Sequence, residues 1–208
     1  MFPFYLHFES YYDTSNDILA ETDFDIQYKP SGRTVERGWL YMKLRAYNRK
    51  MRFLQLDESF NQYDVISELE VPVVMQHFAQ NRWSFPMTLY FEAYPFKRED
   101  IISAPLPVQQ MPSEKRIISL SLKGMRREAL QAFMVNIENE AVLQQAFDEF
   151  FYVAEQNHFF ALTNEPCITY KGEDPIVCTE AAEVLLADYD GQGAIFITNH
   201  DAKENDDA

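Results

Sequence analysis

Along its first hundred residues the chain alternates apolar or aromatic side chains with polar ones in short runs of strand length, and this two-residue repeat makes that part read mainly as strands. Phe2, Phe4, Leu6 and Phe8 share one side of such a run. Between Asp23 and Lys29 the apolar positions are Phe24, Ile26 and Tyr28, and from Gly38 to Tyr47 Leu40, Met42 and Leu44 oppose Trp39, Tyr41 and Lys43. Met51 to Leu56 returns across Asn48-Arg49-Lys50 as a hairpin. Phe85 to Tyr94 sets Met87, Leu89, Phe91 and Ala93 against Thr88, Tyr90 and Glu92. Short strands with one apolar and one polar face predict a small antiparallel sandwich or curved sheet.

Three prolines then interrupt the pattern, at 105, 107 and 112. They remove backbone donors and bias the chain toward extended geometry, so a boundary is expected here. Their spacing does not match a proline-rich recognition motif. Beyond it, Arg116 to Leu122 reads as a strand ended by Gly124. From Met125 to about His158, Leu130, Phe133, Met134 and Ile137, then Leu143, Phe147, Phe150, Phe151 and Ala154, fall at helical spacing. Asn136 and Asn139 between the two sets favour caps over helix interiors and predict a break. Thr163-Asn164-Glu165-Pro166 closes the helical region. Cys167 to Tyr170 and Ile176 to Cys178 read as strands around a turn at Gly172 to Pro175. Thr179 is placed to cap a last helix through Asp188, with Glu180 in its first turn. Asp190 to Gly193 is a turn and Ala194 to Thr198 a buried strand.

The fold class expected is therefore α+β. An N-terminal antiparallel β-rich sandwich or curved sheet spans 1–103 and a proline-containing spacer 104–112. A smaller acidic helix-on-sheet domain is expected at 113–199, and a disordered acidic tail at 200–208. The 17 Phe and 12 Tyr supply enough apolar area for a core without staples. With only 6 Gly, a glycine-rich phosphate loop is not an organising feature. No run approaches the ~18 apolar residues of a membrane helix, and the first residues have neither the basic region nor the apolar stretch of an export signal, so a cytoplasmic location is expected.

Charge is distributed unevenly. Met1 to Arg127 holds 16 Lys+Arg and 16 Asp+Glu, whereas Glu128 to Ala208 holds 2 and 17, so the whole net charge of −15 belongs to the second part. A surface of one sign attracts cations and repels phosphate. Glu138, Glu140, Asp148, Glu149, Glu155, Glu180, Glu183, Asp188 and Asp190 are the candidate acidic face. They are explained either as an ordinary solvated helix surface or as a docking face for a basic protein.

In the balanced half, Arg33, Arg37, Lys43, Arg45, Arg49, Lys50 and Arg52 stand against the single acid Glu36 over twenty residues, with Trp39 and Tyr41 interleaved. Cations that track phosphates beside rings that stack on bases suit single-stranded nucleic acid. Edge protection by charge, or docking on the chain's own acidic half, accounts for the same residues.

Four isolated histidines and two cysteines, Cys167 and Cys178, make no metal-ligand pattern. Cys178, ahead of the expected last helix, is the more testable thiol, although acids around it oppose activation. No nucleophile elbow, zincin helix or phosphate loop is present, so an uncharacterised hydrolase has no residues to rest on. The expectation is a non-enzymatic acidic binding protein of inhibitor or immunity type, with a basic protein as partner, no cofactor, no metal and no membrane. Single-stranded nucleic-acid binding by the basic-aromatic hairpin, through Lys43, Arg45, Arg49, Lys50, Arg52, Trp39 and Tyr41, is the alternative.

Overall fold

A computed structural model describes residues 27–35, 38–44, 49–56, 59–67, 69–121, 124–171, 174–177, 183–188 and 191–199. The expected strand at Phe2 to Phe8, the residues before Gln27, and the tail from His200 lie outside them. The described chain is α+β, and its twelve strands form two sheets.

The first strands are β1 (Gln27–Val35), β2 (Gly38–Leu44), β3 (Arg49–Leu56) and β4 (Phe60–Ile66), followed by α1 (Val71–Arg82) and β5 (Met87–Ala93). A 3-10 turn at Pro95–Lys97 leads into α2 (Arg98–Ser103), then β6 (Val108–Ser121) and β7 (Gly124–Ile137). Helices α3 (Glu140–Phe150) and α4 (Tyr152–Glu155) precede β8 (Phe160–Thr163), β9 (Ile168–Lys171), β10 (Asp174–Val177), β11 (Glu183–Ala187) and β12 (Ala194–Thr198).

Eight strands pair antiparallel in the order β1-β4-β12-β11-β8-β5-β7-β6, and four more in the order β2-β3-β10-β9, with β3 and β10 parallel. Strand parity sorts the large sheet into two faces. Met87, Leu89, Phe91, Phe133, Val135, Phe160, Leu162, Leu185 and Phe196 join one core with Val74, Met75 and Phe78 of α1 and Leu143, Phe147 and Phe150 of α3. Tyr90, Ala161, Val184, Leu186 and Ile197 point the other way, into a core shared with Leu54, Leu56, Ile168 and Val177 of the small sheet. The result is three layers, helices on sheet on sheet.

Both cores are rich in rings. Phe91 stacks on Phe150 at 4.7 Å and on Phe133 at 5.4 Å between centroids, and Phe160 meets Phe147 and Phe151 edge-on, each at 5.2 Å. Such geometries add roughly 0.5–1.5 kcal/mol per pair to the area term. The expected polar face of β5 is therefore absent, because Thr88, Tyr90 and Glu92 are as buried as their neighbours.

Other expectations are also corrected. The proline segment does not separate two sheets: strands from either side of it alternate within the large sheet, and Val108 to Met111 already pair with Val135 to Ala132. The helix expected from Met125 is instead β7, whose helix-forming Glu128 to Ala132 are overridden by pairing to β6, joined from Gln131 onward by β5 along the other edge. Where the last helix is expected to run on to Asp188, Glu183–Ala187 form β11, whose five buried residues sit between β8 and β12, while its expected cap Thr179 lies outside the described residues. Arg49 and Lys50 belong to β3 rather than to the hairpin turn.

Several expectations correspond to described structure. The Asn139 side chain accepts a hydrogen bond from the Val142 amide at 3.1 Å and caps α3. β12 has the expected limits, and Gly191 adopts a left-handed φ of 63° in the turn before it. Phe91→Ala is expected to lower stability by about 3–5 kcal/mol, and Asn139→Ala by about 1 kcal/mol. Urea midpoints at constant slope would read both losses.

Candidate functional site

Helix α3 turns Leu143, Ala146, Phe147 and Phe150 into the core, with Val142 half-buried beside them, so the opposite side faces water. Glu140, Asp148 and Glu149 lie on that outer side, with Glu138 exposed just ahead of the helix and Glu155 exposed in α4. No Lys or Arg occurs from 128 to 170, so the sequence interposes no cation among them. Gly191 packs against the α4 backbone: a Cβ there would meet the Glu155 nitrogen and a Phe151 ring carbon, each at 3.3 Å. The β11–β12 connection is thereby pressed onto α4 and carries the half-buried Asp188 toward the same acidic region. Glu180 and Asp190 lie outside the described residues.

Glu183 departs from the expected face. It is buried at the start of β11, where α1 ends above the sheet. Arg82 donates through Nε to its Oε2 at 3.0 Å and through Nη2 to Oε1 at 2.5 Å. Trp83 Nε1 donates to Oε2 at 2.5 Å, and Thr198 Oγ1 to Oε1 at 3.4 Å. The Arg82 guanidinium also lies 4.5 Å from the Phe196 ring centroid. Glu183 and Asn164 are joined twice more, by the Glu183 amide to Asn164 Oδ1 at 3.0 Å and by the Asn164 amide to the Glu183 carbonyl at 3.4 Å. A carboxylate with both oxygens engaged in this way serves as a lock between α1 and the sheet, and its lone pairs are not available to a ligand.

A second buried polar group sits between the sheets. Tyr170 donates to Glu92 Oε1 at 3.2 Å. Burial, and then the Glu92 charge, hold the Tyr170 phenol well above its ordinary pKa. Burial likewise pushes Tyr90 up to about 12. Cys167 is a buried thiol, and Cys178 lies outside the described residues. His158 is buried edge-on against Tyr94 at 4.6 Å. Among the described residues no three His, Cys, Asp or Glu are grouped to hold a metal ion. A hollow of about 100 Å³ lined by Val65, Ser67, Leu69, Val71, Val74 and Gly193 is smaller than the ~300 Å³ at which metabolite pockets begin. No helix among the described residues is long and apolar enough to cross a membrane.

The basic-aromatic hairpin forms as β2 and β3. Its register sets Trp39 opposite Gln55, Tyr41 opposite Arg52, Lys43 opposite Lys50 and Leu44 opposite Arg49, while Arg45 lies outside the described residues. Strand β2 is an edge of the small sheet. The large sheet separates that layer from α3, so these strands do not pack on the helical acids. The hairpin instead joins the chain's own acidic half through the small sheet, where β3 pairs with β10, Gln55 opposite Ile176 and Leu56 opposite Val177.

Glu183→Ala leaves two buried donors and a guanidinium without their acceptor, and a loss of about 3–5 kcal/mol is expected from urea denaturation. Replacing Arg82 by Met and Glu183 by Leu together is expected to recover part of that loss. Alkali acts through the tyrosines. The native state keeps Tyr90 and Tyr170 protonated where an unfolded chain would ionise them, so stability is whole below about pH 10 and falls as pH rises toward 12. Tyrosinate absorbance should rise in two stages, the later one coinciding with unfolding by circular dichroism. A single stage complete before unfolding would contradict it.

The Arg82–Glu183 clamp was not among the expected sites, since it spans 101 positions and its one local trace is an acid heading the apolar run Val184-Leu185-Leu186-Ala187. No protein family, no curated protein and no solved structure matches this chain.

Proposed function

We propose that the outer side of α3 and α4 docks a basic protein, and that the chain is a non-enzymatic acidic binding protein, acting in the cytoplasm, of the inhibitor or immunity type. One observation carries the reading: Glu138, Glu140, Asp148, Glu149 and Glu155 are all exposed on the helical layer, within a stretch that contains no cation. Such a face repels itself, and a cationic partner relieves the repulsion while being steered toward it. The buried ring contacts and the Asn139 cap hold α3 in place before binding, which reduces the ordering cost of association.

A second reading keeps one specific support. Lys43 opposite Lys50 and Tyr41 opposite Arg52, at the edge of the small sheet, bring cationic and aromatic positions together as single-stranded nucleic acid requires. Under it, joint replacement of Arg45, Arg49, Lys50 and Arg52 abolishes filter retention of single-stranded DNA.

The main reading is tested with a panel of cationic nucleases and with poly-lysine as the unspecific control. A nuclease partner should bind far more tightly than poly-lysine, and binding should weaken steeply as salt shortens the screening length to below about 10 Å. Asp148→Lys with Glu149→Lys should weaken it by at least about tenfold. Affinity for such a partner indifferent to both salt and charge reversal would defeat the proposal.

A further inference from the structure

We infer that the distal half of the β6–β7 hairpin is an arm that docks on a second copy of this chain. The two strands pair over their length, from Val108 opposite Val135 to Ser121 opposite Gly124. Strand β5 accompanies β7 only between Gln131 and Ile137. From Gly124 to Leu130, β6 is the sole strand paired with β7 among the described residues. The register shifts between Met111 and Lys115, next to Pro112, where the arm leaves the sheet. A bulge at that point bends a strand and redirects the residues beyond it. Seven residues from Lys115 to Ser121 give an arm roughly 20 Å long.

A two-stranded ribbon in water is marginally stable by itself, so a regular ribbon of this length calls for cover. Its composition specifies the cover. Between 114 and 128 the sequence holds Lys115, Arg116, Lys123, Arg126 and Arg127 against Glu114 and Glu128, together with Ile117, Ile118, Leu120 and Met125. The register sets Arg116 opposite Ala129, Ile118 opposite Arg127, Ser119 opposite Arg126 and Leu120 opposite Met125, so aliphatic and cationic positions alternate along the ribbon. A phosphate backbone satisfies the cations and leaves the aliphatic groups wet. An acidic protein surface serves both, by apolar contact and by charge complementarity.

Outside this segment the chain carries 13 Lys+Arg and 31 Asp+Glu. A second copy is thus an acidic protein present at the arm's own concentration. Reciprocal exchange of two identical arms closes as a two-fold dimer, with no open surface left to propagate. The inference is independent of the docking of a basic partner on α3 and α4, since reversing charge at Asp148 and Glu149 leaves the arm intact.

Sedimentation equilibrium of the full chain should show a dimer that weakens with salt. Joint replacement R116E, R126E and R127E should raise its dissociation constant at least about tenfold with an unchanged circular dichroism spectrum. Hydrogen exchange in peptides spanning Lys115 to Ser121 of the unmodified chain should slow as protein concentration rises, a readout that needs no variant to fold. A monomer at every concentration, a dimer indifferent to the triple replacement, or exchange independent of concentration overturns the inference. So does a monomer that retains duplex DNA or single-stranded RNA through these three arginines, which would assign the arm to nucleic acid.

Discussion

Strands β5, β8 and β11 have water on neither face, because helices cover one side of the large sheet and a second sheet covers the other. Two-sided burial demands that every side chain along them be apolar or internally satisfied. Phe91, Phe160 and Leu185 meet the demand toward the helices, and Tyr90, Ala161 and Leu186 meet it toward the small sheet. Glu183 meets it only because Arg82 and Trp83 reach its carboxylate from the end of α1. Removing the Arg82 guanidinium would leave the buried carboxylate without its counter-charge, which costs more than the pair itself contributes.

The same layering distributes charge. With the central strands closed to water, the acids of the second half that are exposed among the described residues lie on α3, just ahead of it and on α4. The cationic hairpin β2–β3 belongs to the opposite layer and the cationic part of β6–β7 to the far edge of the sheet. Which strands the cores enclose therefore sets where these acids and these strands lie. Binding readings that use the acidic helices and the cationic ribbons address different faces and can hold together.

Much of the local structure was legible because it depends on neighbours a few residues apart. The hairpin of β2 and β3, the Asn139 cap, the buried stripe of α3 and the turn at Gly191 follow from spacing, capping chemistry and positive φ. Strands β7 and β11 were not legible. Glu128 to Ala132 favour a helix in isolation, and Val184 to Ala187 form an apolar run too short for its period to separate strand from helix. Helix α1 was missed because polar Gln76, His77 and Gln80 are set among its buried residues, although Pro72 in the first turn was an available signal. Of the candidate acidic face, exposure of Glu140, Asp148 and Glu149 follows from the helical repeat, whereas burial of Glu183 depends on a partner 101 positions away.

By itself the sequence determined that this chain is α+β, that its second part carries the net charge, and where its caps and tight turns fall. Those properties are set by composition and by contacts within one or two turns of chain. Tertiary structure alone decided that strands from both parts share one sheet, that helix-forming residues extend into β7, and that one acid of the charged half is locked inside. Each of these depends on pairing between distant segments, where the free energy of burying two faces at once exceeds the local preference of the residues involved.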